Sequence, residues 1–114
     1  MAEPDLKTLL ERHVEMFNEA VRSGDYDPFV ASFAADAVMR FEDLPVGPFR
    51  GRPAIAQAYA SQPPSDTMAL TGMEVAGEDA VRANFEWDAG GSGHMYLRWT
   101  ESSEVAELII AFAE

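Results

Sequence analysis

The stretch AVRANFEWDAGGSGHMYLRW, residues 80–99, decides the fold of this chain. Apolar and polar residues alternate on both sides of the segment 89–93, and a period of two residues is typical of β-strands. The segment AGGSG between the two runs is typical of a turn, so an antiparallel hairpin is predicted. One face of this hairpin is apolar and carries Val81, Ala83, Phe85, Trp87, Met95, Leu97 and Trp99.

Two further strand-like runs flank the hairpin along the chain. Turn-forming residues at 77–79 and 101–103 separate these runs from it. Together the runs predict an antiparallel meander of four strands, over about residues 67–76, 80–88, 94–101 and 104–113.

The N-terminal part of the chain carries helical spacing instead. Apolar residues recur at steps of three and four between Leu6 and Val21, which predicts one amphipathic helix. Asp5 is a suitable N-cap for this helix, and Ser23–Gly24 is a suitable stop. The helix is therefore expected to bury one apolar stripe.

Helical and strand patterns alternate between the first helix and the meander. A second, short helix is predicted from Asp27, which is followed by a proline, to about Ala35. The two-residue period over residues 37–43 predicts a strand. A third helix is expected to begin at Pro53 and to end before the two prolines at 63–64.

Composition and charge set the class of protein. The chain has 114 residues, 47% of them hydrophobic, which predicts one globular domain over residues 1–114. A net charge of −12 disfavours binding to nucleic acid and to anionic membranes. The sequence shows no signal-peptide core and no stretch apolar enough to span a bilayer, so a cytoplasmic location is expected.

Metal and cofactor chemistry is not indicated by the sequence. The chain has no cysteine, and its two histidines, His13 and His94, have no ligand-like spacing. The glycines at 90, 91 and 93 lie between two predicted strands rather than before a helix, so they predict a hairpin turn and not a phosphate-binding loop. We therefore expect neither a metal nor a cofactor.

Six stretches of the sequence together resemble the superfamily that contains nuclear transport factor 2, ketosteroid isomerase and the SnoaL-like cyclases. The resemblance implies a cone-shaped α+β fold, in which a curved antiparallel sheet packs on three helices from the N-terminal half. The stretches are Asn18–Asp25, Phe33–Ala37, Glu42–Asp43 before Pro-Val-Gly, Gly51–Tyr59, Phe85–Trp87 and Val105–Phe112.

The resemblance also implies catalytic residues. Asp43 matches the aspartate that serves as general base in the isomerases, where a tyrosine and a protonated aspartic acid stabilise the oxyanion. Here the tyrosine position is Phe17 and the acid position is Met95, and neither side chain donates a hydrogen bond. Tyr59 matches a tyrosine that supports the donor network in some isomerases. The alternative for Asp43 is a solvated aspartate that caps a turn.

Regularly spaced apolar residues are expected to line the space between the sheet and the helices. They either fill a core or form the wall of an apolar pocket that binds substrate. The opposite face of the sheet is mixed in charge and carries Tyr96, which is typical of a homodimer interface. The candidate substrate-binding residues are Phe17, Val21, Phe33, Val81, Phe85, Met95, Leu108, Ile110 and Phe112.

Two hypotheses about function follow from these residues. In the first, the protein is a cofactor-independent isomerase or cyclase that uses Asp43 to move a proton alpha to a carbonyl in an apolar small molecule. In the second, it is a ligand-binding or dimerisation module without chemistry, as Phe17 and Met95 suggest. Protein recognition is a third option, which requires an exposed apolar patch.

Overall fold

The computed structural model describes residues 5–42 and 47–112, and within these residues three helices precede most of a six-stranded sheet. The helices occupy the N-terminal half, and the last four strands follow one another without a helix between them. The elements in chain order are α1 Leu6–Ser23, α2 Asp27–Ala31, β1 Phe33–Phe41, β2 Phe49–Arg50, α3 Arg52–Ser61, β3 Met68–Gly77, β4 Ala80–Trp87, β5 Ser92–Trp99 and β6 Val105–Phe112.

The sheet confirms the predicted meander. Strands β3 to β6 pair antiparallel with their sequence neighbours, and the order across the sheet is β2-β1-β6-β5-β4-β3. Its register places Met95 opposite Ala83 on one side and opposite Ile110 on the other. The α+β class, with three helices and a curved sheet that does not close, agrees with the expected fold.

Helix α1 begins and ends where its capping residues allow. The side chain of Asp5 accepts a hydrogen bond from the Thr8 backbone amide at 2.8 Å. Gly24 adopts φ 78°, a left-handed conformation that glycine enters without strain, and its amide donates to the Ala20 carbonyl at 2.8 Å. Between these caps, one stripe of the helix is buried against the other elements: Leu9, Leu10, His13, Val14, Phe17 and Ala20.

The boundary between α2 and β1 differs from the prediction. The second helix ends at Ala31, so the prediction that it continues to about Ala35 was wrong, and β1 begins at Phe33. Phe33 pairs with Val105, and the Val105 amide donates to the Ser32 carbonyl at 2.9 Å. Pairing with a strand that lies 72 residues later overrides the helical preference of the alanines.

The sequence patterns also did not predict which strands pair with β1. Strands β1 and β6 run parallel, unlike the other pairs of this sheet, and β2 pairs with β1 through Phe49 and Arg50 alone. A strand of two residues shows no alternation in sequence, and a parallel pair has no turn between its members that marks it.

The concave and convex faces of the sheet follow the alternation in sequence. Along β4, Val81, Ala83 and Phe85 are buried, whereas Arg82 and Asn84 are exposed. The concave face packs toward the helices and carries most of the core. None of the helices in the described part of the chain has the length and apolar character that a membrane span requires.

Gly93 allows β5 to pass close to one aromatic ring of the core. A Cβ atom at this position would lie 2.6 Å from the Ala111 carbonyl oxygen and 2.7 Å from Cζ of Phe85. Only glycine fits there without displacing its neighbours. The Phe85 ring can therefore approach the Gly93 backbone closely, and it is fully buried there.

Candidate functional site

A cavity of about 770 Å³ lies between the concave face of the sheet and the helices. Every helix and strand of the described chain contributes at least one residue to its wall. Exposed polar residues from α3 and the segment after it, such as Gln57 and Gln62, stand at its rim. The volume is within the range of about 300–1,000 Å³ that is usual for sites of small organic ligands.

The inner wall of the cavity is apolar and rich in aromatic rings. On the helical side, Phe29 packs against Phe17 with 5.7 Å between ring centroids. On the sheet side, the centroid of the Trp87 ring lies 5.1 Å from that of Phe85 and 6.3 Å from that of Phe112. A wall of this kind binds apolar surface and offers few partners to a charged group.

The structure brings six of the nine candidate substrate-binding residues to the cavity wall. They lie on α1, β4, β5 and β6: Phe17, Phe85, Met95, Leu108, Ile110 and Phe112. Whether they contact a substrate remains a prediction.

The other three candidates, Val21, Phe33 and Val81, do not line the cavity. Phe33 and Val81 are fully buried in the core, and Val21 packs on the core from the end of α1. The same spacing in sequence thus marks both wall residues and core residues. Asp43, the candidate base, lies outside the described residues.

Phe17 and Met95 occupy the positions at which the resemblance to the isomerases predicts oxyanion donors. Both side chains line the cavity, and they are 5% and 3% exposed. A phenyl ring and a thioether donate no hydrogen bond, so a negative charge on a bound oxygen gains nothing from these two positions.

Tyr59 brings a hydroxyl group to the cavity from α3. Its ring packs edge-on against Phe29 at 5.3 Å and lies 5.2 Å from the Tyr26 ring. Burial, and to a smaller extent the neighbouring Tyr26, raise the pKa of Tyr59, so the phenol stays protonated and remains a donor. Tyr26 donates to the Pro64 carbonyl at 3.0 Å, whereas the Tyr59 hydroxyl bonds to no described residue.

His13 is the polar wall residue that sequence reasoning missed. It lies one helical turn before Phe17 on the buried stripe of α1, and its side chain is 6% exposed. The ring lies 5.1 Å from Phe29 and 6.0 Å from Phe33, and its buried Nδ1 atom has no hydrogen-bond partner. Its position on the apolar stripe is the signal that would have revealed it.

Burial sets the protonation state of His13. With no charged neighbour contributing, burial alone lowers the pKa of its imidazole to about 4, so the ring is neutral at pH 7. A buried polar group without a partner costs about 1–3 kcal/mol of stability. An apolar side chain at this position would avoid that cost.

Metal-ligating residues do not cluster in the described part of the chain. No three side chains of histidine, aspartate or glutamate come close enough there to hold an ion. The polar chemistry of the described wall is limited to His13, Tyr59 and the polar residues of the rim, among them Asp66.

Comparison with known proteins relates this architecture to one family. The sequence profile described as SnoaL-like domain matches residues 14–107. No curated protein matches the chain.

Solved structures share the fold at low sequence identity. A SnoaL-like protein of Burkholderia thailandensis superposes with a TM-score of 0.72 at 16% identity, covering 98% of this chain and 100% of that one. SalBIII, an epoxide hydrolase/cyclase-like enzyme of pyran ring formation in the polyether salinomycin, gives 0.71 at 14% identity, with coverage of 96% and 93%. A Mycobacterium tuberculosis protein in complex with estradiol-17beta-hemisuccinate gives 0.69 at 13% identity, with coverage of 90% and 92%.

Proposed function

Because the chain belongs to the SnoaL-like domain family, we propose that it binds an apolar small molecule in its cavity and acts on it as a cofactor-independent isomerase or cyclase. The observation that carries this proposal is the cavity itself, with about 770 Å³ and an aromatic inner wall. Two structural relatives support it, since one takes part in pyran ring formation and the other holds a steroid derivative.

The proposed chemistry is proton transfer next to a carbonyl group. Asp43 removes a proton from the carbon alpha to the carbonyl, and negative charge develops on the carbonyl oxygen. Phe17 and Met95 leave that charge without a donor, so the neutral Tyr59 hydroxyl is the donor that we assign to it. The apolar wall excludes water and strengthens this hydrogen bond.

A ligand-binding module without chemistry is the second candidate function. The apolar side chains of Phe17 and Met95 favour it, because one missing oxyanion donor costs an enzyme about a hundred- to a thousand-fold in turnover. Both candidates require that the cavity accept an apolar molecule, and they differ only in what Asp43 does.

Binding of estradiol tests the requirement that both candidates share. The chain has two tryptophans, of which Trp87 lines the cavity and Trp99 does not. Estradiol is expected to change the emission of the Trp99→Phe variant, which keeps the cavity tryptophan, because the ligand alters the surroundings of Trp87. The measurement is a fluorescence titration with excitation selective for tryptophan.

The matched control is the Trp87→Phe variant, which keeps only Trp99. Its emission should change little when estradiol is added, because Trp99 lies outside the cavity wall. Equal changes in the two variants would place the ligand elsewhere, and no change in either at saturating steroid would contradict the proposed function.

We further propose that residues 1–114 act as one domain and associate as a cytoplasmic homodimer through the convex face of the sheet. On that face the guanidinium carbon of Arg82 lies 5.9 Å from the centroid of the Tyr96 ring. Nε of Arg98 lies 3.6 Å from Oε1 of Glu107. Mixed charges around an aromatic residue suit a wet, self-complementary interface. The molar mass in solution should be twice that of the 12.5 kDa chain, and a monomeric mass at micromolar concentration would refute the dimer.

A further inference from the structure

One buried polar atom of the cavity region makes no hydrogen bond to the described part of the chain. Among the buried side-chain nitrogen and oxygen atoms of the described residues, Nδ1 of His13 is the one without a hydrogen-bond partner. The same imidazole borders the cavity, and its side chain is more than nine-tenths buried. Nδ1 itself is enclosed by the protein, so a ligand in the cavity reaches the imidazole at Nε2, which hydrogen-bonds to no described residue either.

The surroundings of His13 favour a neutral partner. Its nearest rings are Phe29 and Phe33, which carry no charge. Among the described residues of the cavity wall, the other titratable groups are Tyr59, a protonated phenol that also packs against Phe29, and Asp66 at the rim. Asp66 is already engaged, because its carboxylate accepts a hydrogen bond from the Ala89 amide at 2.8 Å.

We propose that His13 is a polar binding contact of the cavity and hydrogen-bonds a hydroxyl group on an otherwise apolar ligand. The inference rests on the proposed function, because it presumes that the cavity takes a ligand. A neutral imidazole has one nitrogen that donates and one that accepts, and a hydroxyl pairs with either of them. A hydrocarbon of the same shape fills the cavity but leaves His13 unpaired.

The ligand class that follows is a hydroxylated polycycle. The volume and the aromatic wall suit fused rings, and the hydroxyl is expected near α1, against the wall formed by His13 and Phe17. Recognition of this kind discriminates well, since an analogue that lacks the hydroxyl gives up one hydrogen bond and also leaves the buried imidazole unpaired.

The test compares estradiol with estra-1,3,5(10)-triene, which has the same four rings and neither hydroxyl. Wild-type protein should bind estradiol at least about tenfold more tightly, as expected for one hydrogen bond to a buried group. In the His13→Phe variant this ratio should fall by about tenfold, while affinity for estratriene stays the same or rises. His13→Leu repeats the test with a smaller side chain in case the phenyl ring is not accommodated.

The outcomes separate the inference from the proposed function. If neither steroid binds the wild type, the proposed function fails and the inference with it. If both bind and the estradiol preference is unchanged in His13→Phe and His13→Leu, only the inference is overturned. The exposed His94 gives the matched control, since His94→Phe should keep the wild-type ratio.

Imidazole nitrogen shifts provide a second readout on the unmodified protein. With only two histidines, the ¹⁵N signals are assigned by the His94→Phe variant. Saturation with estradiol should move the His13 ring signals and leave those of His94 in place, and estratriene should move them much less. Equal shifts of the His13 ring with both steroids would overturn the hydrogen bond to a hydroxyl.

Discussion

Replacing Asp43 with asparagine is expected to lower turnover at least a hundredfold, because a positioned general base contributes about 10²–10⁴ to such rates. The amide keeps the shape of the carboxylate but does not accept a proton from carbon. A steroid-sized β,γ-unsaturated ketone is the appropriate substrate, since its conversion to the conjugated enone is followed by ultraviolet absorption. Exchange of its alpha protons in D₂O, measured by NMR, detects proton removal even when isomerisation is incomplete.

The neighbouring carboxylate provides a matched control. Glu42 is exposed at the end of β1, and its backbone amide donates to the Ile110 carbonyl at 2.9 Å, a bond that the side chain does not affect. Glu42→Gln makes the same change of charge one residue away and should retain full turnover. Equal turnover in Asp43→Asn and wild type would remove Asp43 from the mechanism. Binding of ketone with no exchange in the wild type would favour the second candidate function, a binding module.

The second prediction is that protonation of His13 makes the folded protein less stable at acidic pH. In the unfolded chain the His13 imidazole has an ordinary pKa of 6.5, whereas burial lowers its pKa to about 4 in the folded protein. Between these values the unfolded state binds more protons, so stability is lost as the pH falls. The free energy of unfolding should drop by about 3 kcal/mol between pH 8 and pH 4 on account of this residue alone.

Urea unfolding at a series of pH values measures the effect. The His13→Phe variant should lose about 3 kcal/mol less than the wild type over the same range, because phenylalanine binds no proton. Contributions of the many carboxylates are common to both proteins and cancel in the comparison. Parallel curves for His13→Phe and wild type would show that His13 is not buried as a neutral ring.

Much of the fold was determined by local patterns in the sequence. The alternation over residues 80–99 fixed which side chains of β4 and β5 face the core, because a strand presents successive residues to opposite faces. The caps at Asp5 and Gly24 fixed the ends of α1. These signals are local, so they act before any distant contact forms and can be recognised in a single sequence.

Other elements depended on contacts between distant parts of the chain. Phe33 belongs to a strand and not to a helix because Val105 lies beside it, and β2 exists because β1 offers Val38 and Met39 as partners. Neither pairing has a local signal, since the residues that form it are far apart in sequence or too few to show a period.

The sequence by itself determined the fold class, the faces of the strands and six of the apolar residues that line the cavity. Only the tertiary structure decided that Val21, Phe33 and Val81 belong to the core rather than to the wall, and that His13 borders the cavity without a partner. The physical reason is that periodicity assigns a residue to the inner side of its own element. Whether that inner side meets another side chain or an empty volume depends on how the nine elements of the described residues pack together.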